Sequence, residues 1–519
     1  MNKVDQLGRA DGEGAAARDL VSGPGRPATY ASQLLLGCAL ATLSAALLTF
    51  SFAPYDRWWL IWVAMVPMIV AQYRVLPPRW SALGPAVGIG GFMVGYFGGV
   101  FPAAVAWYMK ALPILVAGAI FATGRGGRLD RDRLGYRAWP LAGAAAWVAI
   151  ELLRMFIPAL GTWGFLGYAL YQQGWLIQPV RVVGIFGLDL LIGLVNYTLA
   201  MAALAWIDRR GVFAAPVDVR PQQAARWCAA VLVLLAIWCG FGLVSIRGFA
   251  GPTIRVAALQ PGVRRPDVGS TSAVRDRTML DRLAAQTRQA AARGARLVVW
   301  PEGAFAVDPA TSYTNELADL ARATGAYLVV AYGVRTPAGF RNEAVTVEPD
   351  GRLVGCYGKD HPVGFLGASS ISRGSYPTVA ANLGGADTTL GTMICADTDF
   401  TDTGRKLARN GAKVIAVPSA DWPAIATKHY THSIFRALET GAAFAKAEYN
   451  LDSVIVDGYG HVAASAVTPQ GASAVLVADV PLREGLPLAT RFGDWIGWLC
   501  LGGLVARKVW ASRNRRRPD

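Results

Sequence analysis

The sequence predicts a helical bundle in a membrane joined to an α/β domain, because the composition changes sharply along the chain. Of its 519 residues 53% are hydrophobic and 16% are charged, whereas roughly 25% are charged in soluble domains. Long uncharged runs fill residues 32–247, residues 252–488 have a mixed composition, and a short apolar run lies near 495–506. We therefore expect a transmembrane domain over 31–248, an α/β domain over 252–488 and a C-terminal transmembrane helix over 489–511.

Eight apolar segments are candidates for spanning helices, seven of them in the transmembrane domain, since about 20 mostly apolar residues cross a bilayer. The segment at 138–157 carries Glu151 and Arg154, which lie three residues apart on one helix face. We expect these two to pair, although an ionisable residue at membrane depth is also a functional candidate. The eight segments are 32–53, 58–73, 82–107, 111–124, 138–157, 182–206, 227–246 and 495–511, of which the fourth and the eighth are short.

The net charge of +15 does not favour a nucleic-acid partner, because the basic residues cluster at the ends of the apolar segments. Both tails and the connections after the second, fourth and sixth segments are rich in Lys and Arg. The alternating short connections carry only Arg57, Lys110 and Arg181. Cytoplasmic loops of membrane proteins carry the excess of basic residues. We therefore expect both termini in the cytoplasm and the α/β domain on the extracytoplasmic side.

The two tails differ in composition. Residues 1–30 mix acidic and basic side chains, unlike the short basic start of a cleaved signal peptide, and we expect a disordered cytoplasmic tail there. Residues 512–519 form a basic cytoplasmic tail.

The six cysteines show neither a disulfide framework nor the paired spacing of a metal site, and we expect no metal and no other cofactor. Cys356 and Cys395 lie in the α/β region. The others are expected to be small packing residues in membrane segments, namely Cys38, Cys228, Cys239 and Cys500.

Strand-like and helix-like runs alternate after residue 252, which favours a layered α/β domain. A hairpin is predicted over 342–355 around Pro349-Asp350-Gly351. Helices are predicted at 275–293 and 430–444. The predicted strands are 254–259, 297–300, 327–332, 389–394, 414–417, 452–457 and 474–480.

Three polar residues lie where predicted strands end, the usual place for sites in α/β folds. Glu302 ends Leu-Val-Val-Trp-Pro-Glu, Lys359 follows Val-Gly-Cys-Tyr-Gly, and Cys395 lies in Gly-Thr-Met-Ile-Cys-Ala-Asp. A thiolate can attack a carbonyl carbon, a carboxylate can carry the thiol proton, and an ammonium can stabilise an oxyanion. Taken singly, each is more often a buried packing residue or a solvated charge.

The order Glu, Lys, Cys in these strand contexts resembles the nitrilase superfamily. Trp-Pro-Glu, Tyr-Gly-Lys-Asp-His and Ile-Cys-Ala-Asp are similar to its three motif regions. The resemblance implies a four-layer α-β-β-α sandwich. It also implies that Glu302 is the general base, Lys359 the oxyanion stabiliser and Cys395 the nucleophile.

From about residue 32 to 508 the chain resembles the apolipoprotein N-acyltransferases. We expect Asp397, Trp422, Arg436 and Glu439 to bind substrate or to support the site. The similar stretches are Ser51-Phe-Ala-Pro-Tyr-Asp56, Gly161-Thr-Trp-Gly-Phe-Leu-Gly-Tyr168, Gly184-Ile-Phe-Gly-Leu-Asp189 with Asn196, Ser419-Ala-Asp421-Trp422, Arg436-Ala-Leu-Glu-Thr-Gly441 and Thr490-Arg-Phe-Gly-Asp494.

The resemblance implies transfer of an acyl chain from a phospholipid to the α-amino group of a lipoprotein's diacylglyceryl-cysteine. The reaction would be ping-pong through an acyl thioester on Cys395, in a monomer of the cytoplasmic (inner) membrane. Two lipid-tailed substrates need an apolar opening beside the thiol. Trp422 and the aromatic segment 163–168 either line that opening or anchor the protein at the bilayer interface.

The chain departs from the family pattern near the expected site. The family's second Glu, about eight residues after the Lys, is missing from His361-Pro-Val-Gly-Phe-Leu-Gly367, and Ala396-Asp397 stands where a bulky aromatic and a Glu usually follow the Cys. Asp397 is a candidate for the second role at shorter reach. Glu448 and Asp360 are candidates to balance the charge of Lys359.

Two other functions remain open from the sequence. One is a membrane-anchored amidase or hydrolase of the nitrilase superfamily, in which water replaces the amine. The other is a non-enzymatic paralogue that acts as a scaffold. The complete Glu-Lys-Cys set speaks against the scaffold, and the apolar half speaks against a simple hydrolase.

Overall fold

The first half of the chain is helical. The computed structural model describes residues 30–98, 111–124, 128, 135–211, 219–246, 251–364, 369–468 and 470–514. The predicted tail before residue 30, part of the third apolar segment, residues 365–367 and the end of the basic tail lie outside these ranges. Helices of the first half are α1 (Tyr30–Ser51), α2 (Val66–Val70), α3 (Leu83–Phe97), α4 (Leu112–Gly124), α5 (Trp139–Met155), α6 (Gly174–Ile177), α7 (Val180–Arg209) and α8 (Pro221–Ser245).

Helical structure is present at all eight predicted membrane segments, counting the C-terminal helix described below. Among the described residues, four stretches are long and apolar enough to cross a membrane, namely Tyr30–Ser51, Trp58–Val75, Val180–Arg209 and Pro221–Ser245. The second is not one regular helix: α2 lies between a 3₁₀ turn at Trp58–Trp62 and a π-helical turn at Ala71–Val75. The described residues thus contain four candidate spans, and a count of eight spans stays a prediction.

Glu151 and Arg154 of α5, the predicted pair, make no direct salt bridge, although each charge acts on the other. Glu151 accepts a hydrogen bond from the indole of Trp147 at 2.8 Å. Arg154 instead donates to the carbonyl oxygen of Trp163 at 2.7 Å, and its guanidinium lies 4.6 Å from the centre of the Phe165 ring. Arg154 points away from Glu151 because a loop outside the helix offers it a backbone acceptor and an aromatic face.

The α/β domain contains two six-stranded mixed sheets. The first has the order β12-β1-β2-β3-β4-β5 and the second β11-β10-β9-β8-β7-β6. Three neighbouring strands at the centre of each sheet are parallel, β1-β2-β3 and β7-β8-β9, and the outer strands are antiparallel. The strands are β1 (Thr253–Pro261), β2 (Leu297–Val299), β3 (Tyr327–Thr336), β4 (Gly339–Val347), β5 (Leu353–Gly358), β6 (Thr378–Leu383), β7 (Ala386–Thr392), β8 (Val414–Pro418), β9 (Ala443–Ala447), β10 (Asp452–Val456), β11 (Val462–Val467) and β12 (Ser473–Pro481).

The two sheets stack face to face between helices, which gives the predicted α-β-β-α layers. Because side chains alternate across a strand, Val256 and Ala258 of β1 join the core shared by both sheets, whereas Ala257 and Leu259 pack in the core under α9. The remaining helices are α9 (Ser272–Ala292), α10 (Thr314–Thr324), α11 (Asp402–Arg409), α12 (Pro423–Thr440), α13 (Leu488–Phe492) and α14 (Trp495–Asn514). The first two cover the first sheet, and α11 and α12 cover the second.

The predicted strands and the 342–355 hairpin are present, but the predicted helix at 430–444 is wrong at both ends. It begins seven residues earlier, at Pro423, and ends at Thr440 because Gly441 adopts the left-handed conformation (φ 72°). The next residues form β9, a fully buried parallel strand whose short apolar run is indistinguishable from a helix by periodicity. Strands β6 and β11 were also not predicted.

Polar contacts at several places join the α/β domain to the helical half. Thr162 donates its backbone N–H and its hydroxyl to the carbonyl oxygen of Asp399, at 2.9 and 2.7 Å. Glu439 in α12 accepts the backbone N–H of Ile185 in α7 at 2.9 Å. Arg405 in the α/β domain also donates to Asp494, just before the C-terminal helix. These bonds hold α12 and the loop after β7 against the helical half.

Candidate active site

The predicted carboxylate and ammonium form a buried ion pair between the ends of strands. Lys359 Nζ donates to Glu302 Oε1 at 2.7 Å, and these side chains are 3% and 11% exposed. The same carboxylate oxygen accepts the amide of Asn342 at 2.7 Å. Backbone bonds fix both partners, since Lys359 N–H donates to the carbonyl of Asn342 and Glu302 N–H donates to that of Ser419. Asn342 thus completes the pair, a role that its place in a predicted hairpin did not indicate.

Cys395 lies in the turn after β7 and carries the backbone strain expected at a functional residue. Its φ of 49° is unusual for a residue with a side chain. The thiol is buried and donates to Asp421 Oδ1 at 3.6 Å. Burial raises the pKa of Cys395 well above its usual range; Lys359 opposes this rise, and Glu302 and Asp421 add to it. The resting nucleophile is therefore a neutral thiol that needs a proton acceptor.

Lys359 is a charged ammonium at neutral pH despite its burial. Burial alone lowers its pKa, but the charge of Cys395 once that thiol is ionised, together with the carboxylate of Glu302, outweighs burial and raises the pKa. In the resting site the carboxylate of Glu302 is the partner that holds the charge on Lys359. A cation held beside the nucleophile stabilises both a thiolate and the oxyanion that forms when the thiolate attacks a carbonyl. The three predicted catalytic side chains thus act on one another electrostatically.

Asp421 is a buried carboxylate beside the thiol to which sequence reasoning assigned no role. It accepts Lys446 Nζ at 2.7 Å, His429 Nδ1 at 2.7 Å and the hydroxyl of Ser419 at 3.0 Å. Burial raises its pKa, but His429 and Lys446 outweigh burial and hold the pKa well below its usual range. Asp421 is therefore anionic. Its place in the Ser-Ala-Asp-Trp motif was the one sequence signal that pointed to it.

His429 is charged because it lies between two carboxylates. Burial lowers its pKa, but Asp421 and Asp399 raise it to about 10. Its Nε2 lies 3.0 Å from the hydroxyl of Thr398 and 3.3 Å from Asp399. The ring also stacks on Trp163 of the helical half, with centroids 5.7 Å apart. His429 therefore joins the loop that carries Cys395 to both the membrane half and Asp421.

Asp397 organises the nucleophile loop. Its carboxylate accepts the Tyr357 hydroxyl at 2.6 Å and the backbone N–H groups of Ile394 and His361, at 2.8 and 2.7 Å. Burial raises its pKa to about 6, an effect that Lys359 partly opposes. Asp397 thus ties the Cys395 turn to the loop after Lys359.

The two candidates to balance the charge of Lys359 have other partners. Glu448 accepts the backbone N–H groups of Asp421, Asn450 and Leu451. Asp360 accepts the hydroxyls of Tyr376 and Thr403. Their observed bonds organise neighbouring loops, and Glu302 is the carboxylate that pairs with Lys359.

A narrow pocket above the thiol is formed jointly by both halves of the chain. Cys395, Trp422 and Ile425 line it from the α/β domain, and Phe97 and Trp163 line it from the helical half. Trp422 and Trp163 therefore face the nucleophile pocket, and of the two predicted roles, lining and interfacial anchoring, this contact favours the first. The cavity is about 40 Å³, on the order of a single water molecule, so an acyl chain must displace side chains to enter.

Arg436 and Glu439 lie deeper, inside α12. They form a buried ion pair with a nitrogen–oxygen distance of 3.1 Å. Glu439 also accepts Ile185 N–H from the helical half. Neither residue lines the nucleophile pocket, and their contacts indicate a supporting role.

Cys395, Asp421 and His429 bring together three kinds of side chain that bind metal ions in proteins. One donor atom from each residue lies within 4.8 Å of the others. However, the carboxylate already carries the ammonium of Lys446, and the imidazole is a cation. This donor set fits an ion-pair network better than a metal site.

Two family models match the chain. The apolipoprotein N-acyltransferase N-terminal domain matches residues 44–198, and the carbon-nitrogen hydrolase domain matches residues 255–485. The chain belongs to the apolipoprotein N-acyltransferase family. Its α/β domain is therefore of the nitrilase, or carbon-nitrogen hydrolase, type.

Relatives match over most of their length. An apolipoprotein N-acyltransferase of Geobacter metallireducens is 26% identical over 92% of this chain and 95% of its own. One of Gloeobacter violaceus is 26% identical over 90% and 93%. The chain is also similar to the structure of an amidase from Nesterenkonia sp., with 23% identity and a TM-score of 0.36 over 45% of this chain and 92% of that chain.

Proposed function

We propose that the protein transfers a fatty acyl chain from a phospholipid to the α-amino group of a lipoprotein's N-terminal diacylglyceryl-cysteine. The observation that carries this proposal is a buried thiol, beside a Glu–Lys ion pair, in a pocket whose walls come from both halves of the chain. A nitrilase-type thiol site supplies acyl chemistry, and the helical half gives lipid-tailed substrates a route to it. The relatives carry the name of this activity.

The first half-reaction acylates the enzyme. Glu302 takes the proton of Cys395, and the thiolate attacks the ester carbonyl of the phospholipid. Lys359 stabilises the resulting oxyanion. As the intermediate collapses, the acyl carbon–oxygen bond breaks, Glu302 returns its proton to the leaving alkoxide, and a lysophospholipid departs. The acyl group stays on Cys395 as a thioester.

The second half-reaction consumes the thioester. The neutral α-amine of the acceptor attacks the thioester carbonyl, and Glu302 accepts a proton from the nitrogen. The carbon–sulfur bond then breaks, the thiolate of Cys395 recovers the proton, and an amide is released. Since each substrate meets the same thiol in turn, the mechanism is ping-pong.

The proposal includes a topology. The α/β domain lies on the extracytoplasmic side of the inner membrane, with eight spanning helices and both termini in the cytoplasm. Connections rich in Lys and Arg alternate along the chain with connections that carry few of these residues, which supports this arrangement. Both substrates lie in the outer leaflet, so the thiol and the substrates share one side. We propose that a monomer suffices, because every group named in the mechanism comes from one chain.

The test uses the purified full-length protein in detergent with a phospholipid and a synthetic diacylated lipopeptide. Mass spectrometry should detect a peptide heavier by one acyl chain. Without the peptide, wild type should accumulate an acyl group on Cys395, and Cys395→Ala should accumulate none. If an acyl thioester forms but is released only as free fatty acid, the protein is a hydrolase. If neither the acyl thioester on Cys395 nor the acylated peptide appears, the result supports the scaffold alternative.

A further inference from the structure

A second cavity lies beside the nucleophile pocket, between the helical half and the start of α12. Its volume is about 330 Å³, far larger than the space above the thiol. Ala53 and Pro54 after α1, Tyr96 at the end of α3, and Pro423 and Lys428 of α12 line it. The site described above uses none of these residues.

The two cavities are direct neighbours. Phe97 of α3 lines the nucleophile pocket, whereas Tyr96 and Gly98 line the second cavity. In α12, Ile425 and His429 face the thiol, whereas Ala424 and Lys428, one residue earlier in each case, face the second cavity. The end of α3 and the start of α12 therefore border both cavities.

Lys428 places a buried positive charge in the second cavity. Lys428 is 9% exposed. Burial lowers its pKa, and no neighbouring charge opposes or adds to that effect. Among the described residues, its ammonium has no carboxylate within ion-pair distance and no hydrogen-bond acceptor. Within the described part of the chain, the ammonium contacts the face of Tyr96, whose ring centre is 5.2 Å from Nζ. A buried cation without a counter-charge is costly, which indicates a missing anionic partner.

The start of α12 adds to the positive potential. The helix has 18 residues, begins with Pro423 at its first turn, and its N-cap residue Trp422 makes no side-chain capping bond. The helix dipole at such an end attracts anions. Lys428 lies little more than one turn inside this end. Dipole and ammonium thus converge on one cavity.

We propose that this cavity binds the phosphodiester group of the phospholipid acyl donor, with Lys428 as its counter-charge. The inference rests on the proposed function and deepens it by assigning the donor's headgroup to one site. The phosphate lies at Lys428 and the start of α12, and one acyl ester reaches across Tyr96 and Phe97 to Cys395. A lipid is the occupant, and not a soluble anion, because most of the lining residues come from the ends of helices in the membrane half.

The test compares Lys428→Met with Lys428→Arg in the full-length protein. The probe is acyl-enzyme formation on Cys395 at increasing concentrations of a phosphatidylglycerol or phosphatidylethanolamine donor in mixed micelles. We expect Lys428→Met to raise the KM for the donor about tenfold or more with little change in kcat, and Lys428→Arg to stay near wild type. Lys413→Met removes an ammonium that donates to the carbonyl of Arg483, away from both cavities, and should change neither constant.

A phosphate-free donor separates binding from chemistry. Acylation of Cys395 by a short, uncharged p-nitrophenyl ester should proceed equally in wild type and Lys428→Met, which also shows that the variant folds. Equal KM values for the phospholipid in both proteins would overturn the inference. Strong inhibition of wild type, but not of Lys428→Met, by millimolar inorganic phosphate would make this a soluble-anion site and would also overturn it. Failure of wild type itself to form acyl-enzyme from phospholipid would instead contradict the proposed function.

Discussion

At the scale of single residues, the proposed acyl transfer depends on the carboxylate of Glu302, which accepts hydrogen bonds from two donors. Glu302 accepts both Lys359 and Asn342 on the same oxygen, which leaves its other oxygen to receive a proton. We expect Glu302→Gln to keep these neighbours in place but to lower the rate of acyl-enzyme formation by roughly 10²–10⁴-fold, because an amide cannot act as a general base. Mass spectrometry of Cys395 after rapid mixing with the donor measures this rate.

Glu343→Gln is the matched control for that change. Glu343 is also a buried carboxylate of the first sheet, but it pairs with Arg341 and the hydroxyl of Tyr332. Its variant should acylate at close to the wild-type rate. Equal rates in Glu302→Gln and wild type would mean that another group takes the thiol proton, and Asp421 would be the first candidate.

Asp421 offers a second prediction, about pH. Its negative charge raises the pKa of the Cys395 thiol, and its oxygen accepts a hydrogen bond from the neutral thiol. Both effects favour the protonated form, so Asp421→Asn should lower the thiol pKa. We expect the rate of alkylation of Cys395 by iodoacetamide to rise with pH in both proteins, and the midpoint of that rise to lie at lower pH in the variant.

The control for the pH experiment is Asp479→Asn. Asp479 is exposed and pairs with Arg255 at the edge of the first sheet, so its variant should keep the wild-type midpoint. An unchanged or higher midpoint in Asp421→Asn would show that the carboxylate does not act on the thiol.

The residues that sequence could predict were those with a local motif. Glu302, Lys359 and Cys395 each follow a strand, and strand ends meet at one edge of a sheet. Asn342 and His429 could not be placed, because their roles depend on contacts between different strands and between α12 and the nucleophile loop. The same limit explains the error at Arg154, whose partner lies in a loop nine residues away.

At the scale of elements, α12 is the helix that unites the site. It carries Trp422 at its N-cap, His429 in its middle and Glu439 near its end. Sequence periodicity detected this helix but misplaced both ends. Residues 431–449 are buried without a break, and the left-handed backbone conformation of Gly441 separates helix from strand.

We therefore expect Gly441→Ala to destabilise the protein. A residue with a side chain pays about 1–2 kcal/mol in the left-handed conformation, and a methyl group here would also lie 3.1 Å from the ring of Pro487. Thermal unfolding in detergent, followed by tryptophan fluorescence, should show a lower midpoint.

Gly404→Ala is the control for the glycine experiment. Gly404 lies inside α11, and an added methyl group there would make only ordinary contacts of 3.4 Å or more. Its variant should unfold at the wild-type temperature or above, because alanine favours helix. A Gly441→Ala protein as stable as wild type would show that α12 can end elsewhere.

At the scale of the whole molecule, a buried ion pair joins the α/β domain to the C-terminal helix. Arg405 in α11 donates to both carboxylate oxygens of Asp494, at 2.6 Å each, just before α14 begins. The two side chains are 7% and 9% exposed. Removing one partner leaves the other buried and unpaired, so Asp494→Ala should cost about 3–5 kcal/mol.

The double variant Arg405→Met with Asp494→Leu tests whether the cost comes from the unpaired charge. Two apolar side chains can replace a buried pair with little loss. We expect the double variant to unfold at a higher temperature than Asp494→Ala in the same detergent. A double variant less stable than Asp494→Ala would show that the pair itself, and not only its burial, holds the domain against α14.

The side of the membrane on which the α/β domain lies is predicted from charge alone. Basic residues are abundant in every second connection, and a shift by one span would invert the whole arrangement. Single cysteines test it in a Cys356→Ser background, since Cys356 is the exposed cysteine among those described. Arg288→Cys places a thiol on the exposed face of α9, and Arg137→Cys places one in the predicted cytoplasmic connection before α5.

A membrane-impermeant maleimide should label Arg288→Cys in intact spheroplasts and Arg137→Cys only after permeabilisation. The physical reason is that basic connections stay in the cytoplasm, so two positions separated by an odd number of spans must face opposite sides. With eight spans, the fifth, sixth and seventh lie between these positions. Labelling of both positions from outside would mean that one of those segments does not cross the bilayer. The reverse pattern would place the thiol in the cytoplasm, away from the outer-leaflet substrates of the proposed reaction.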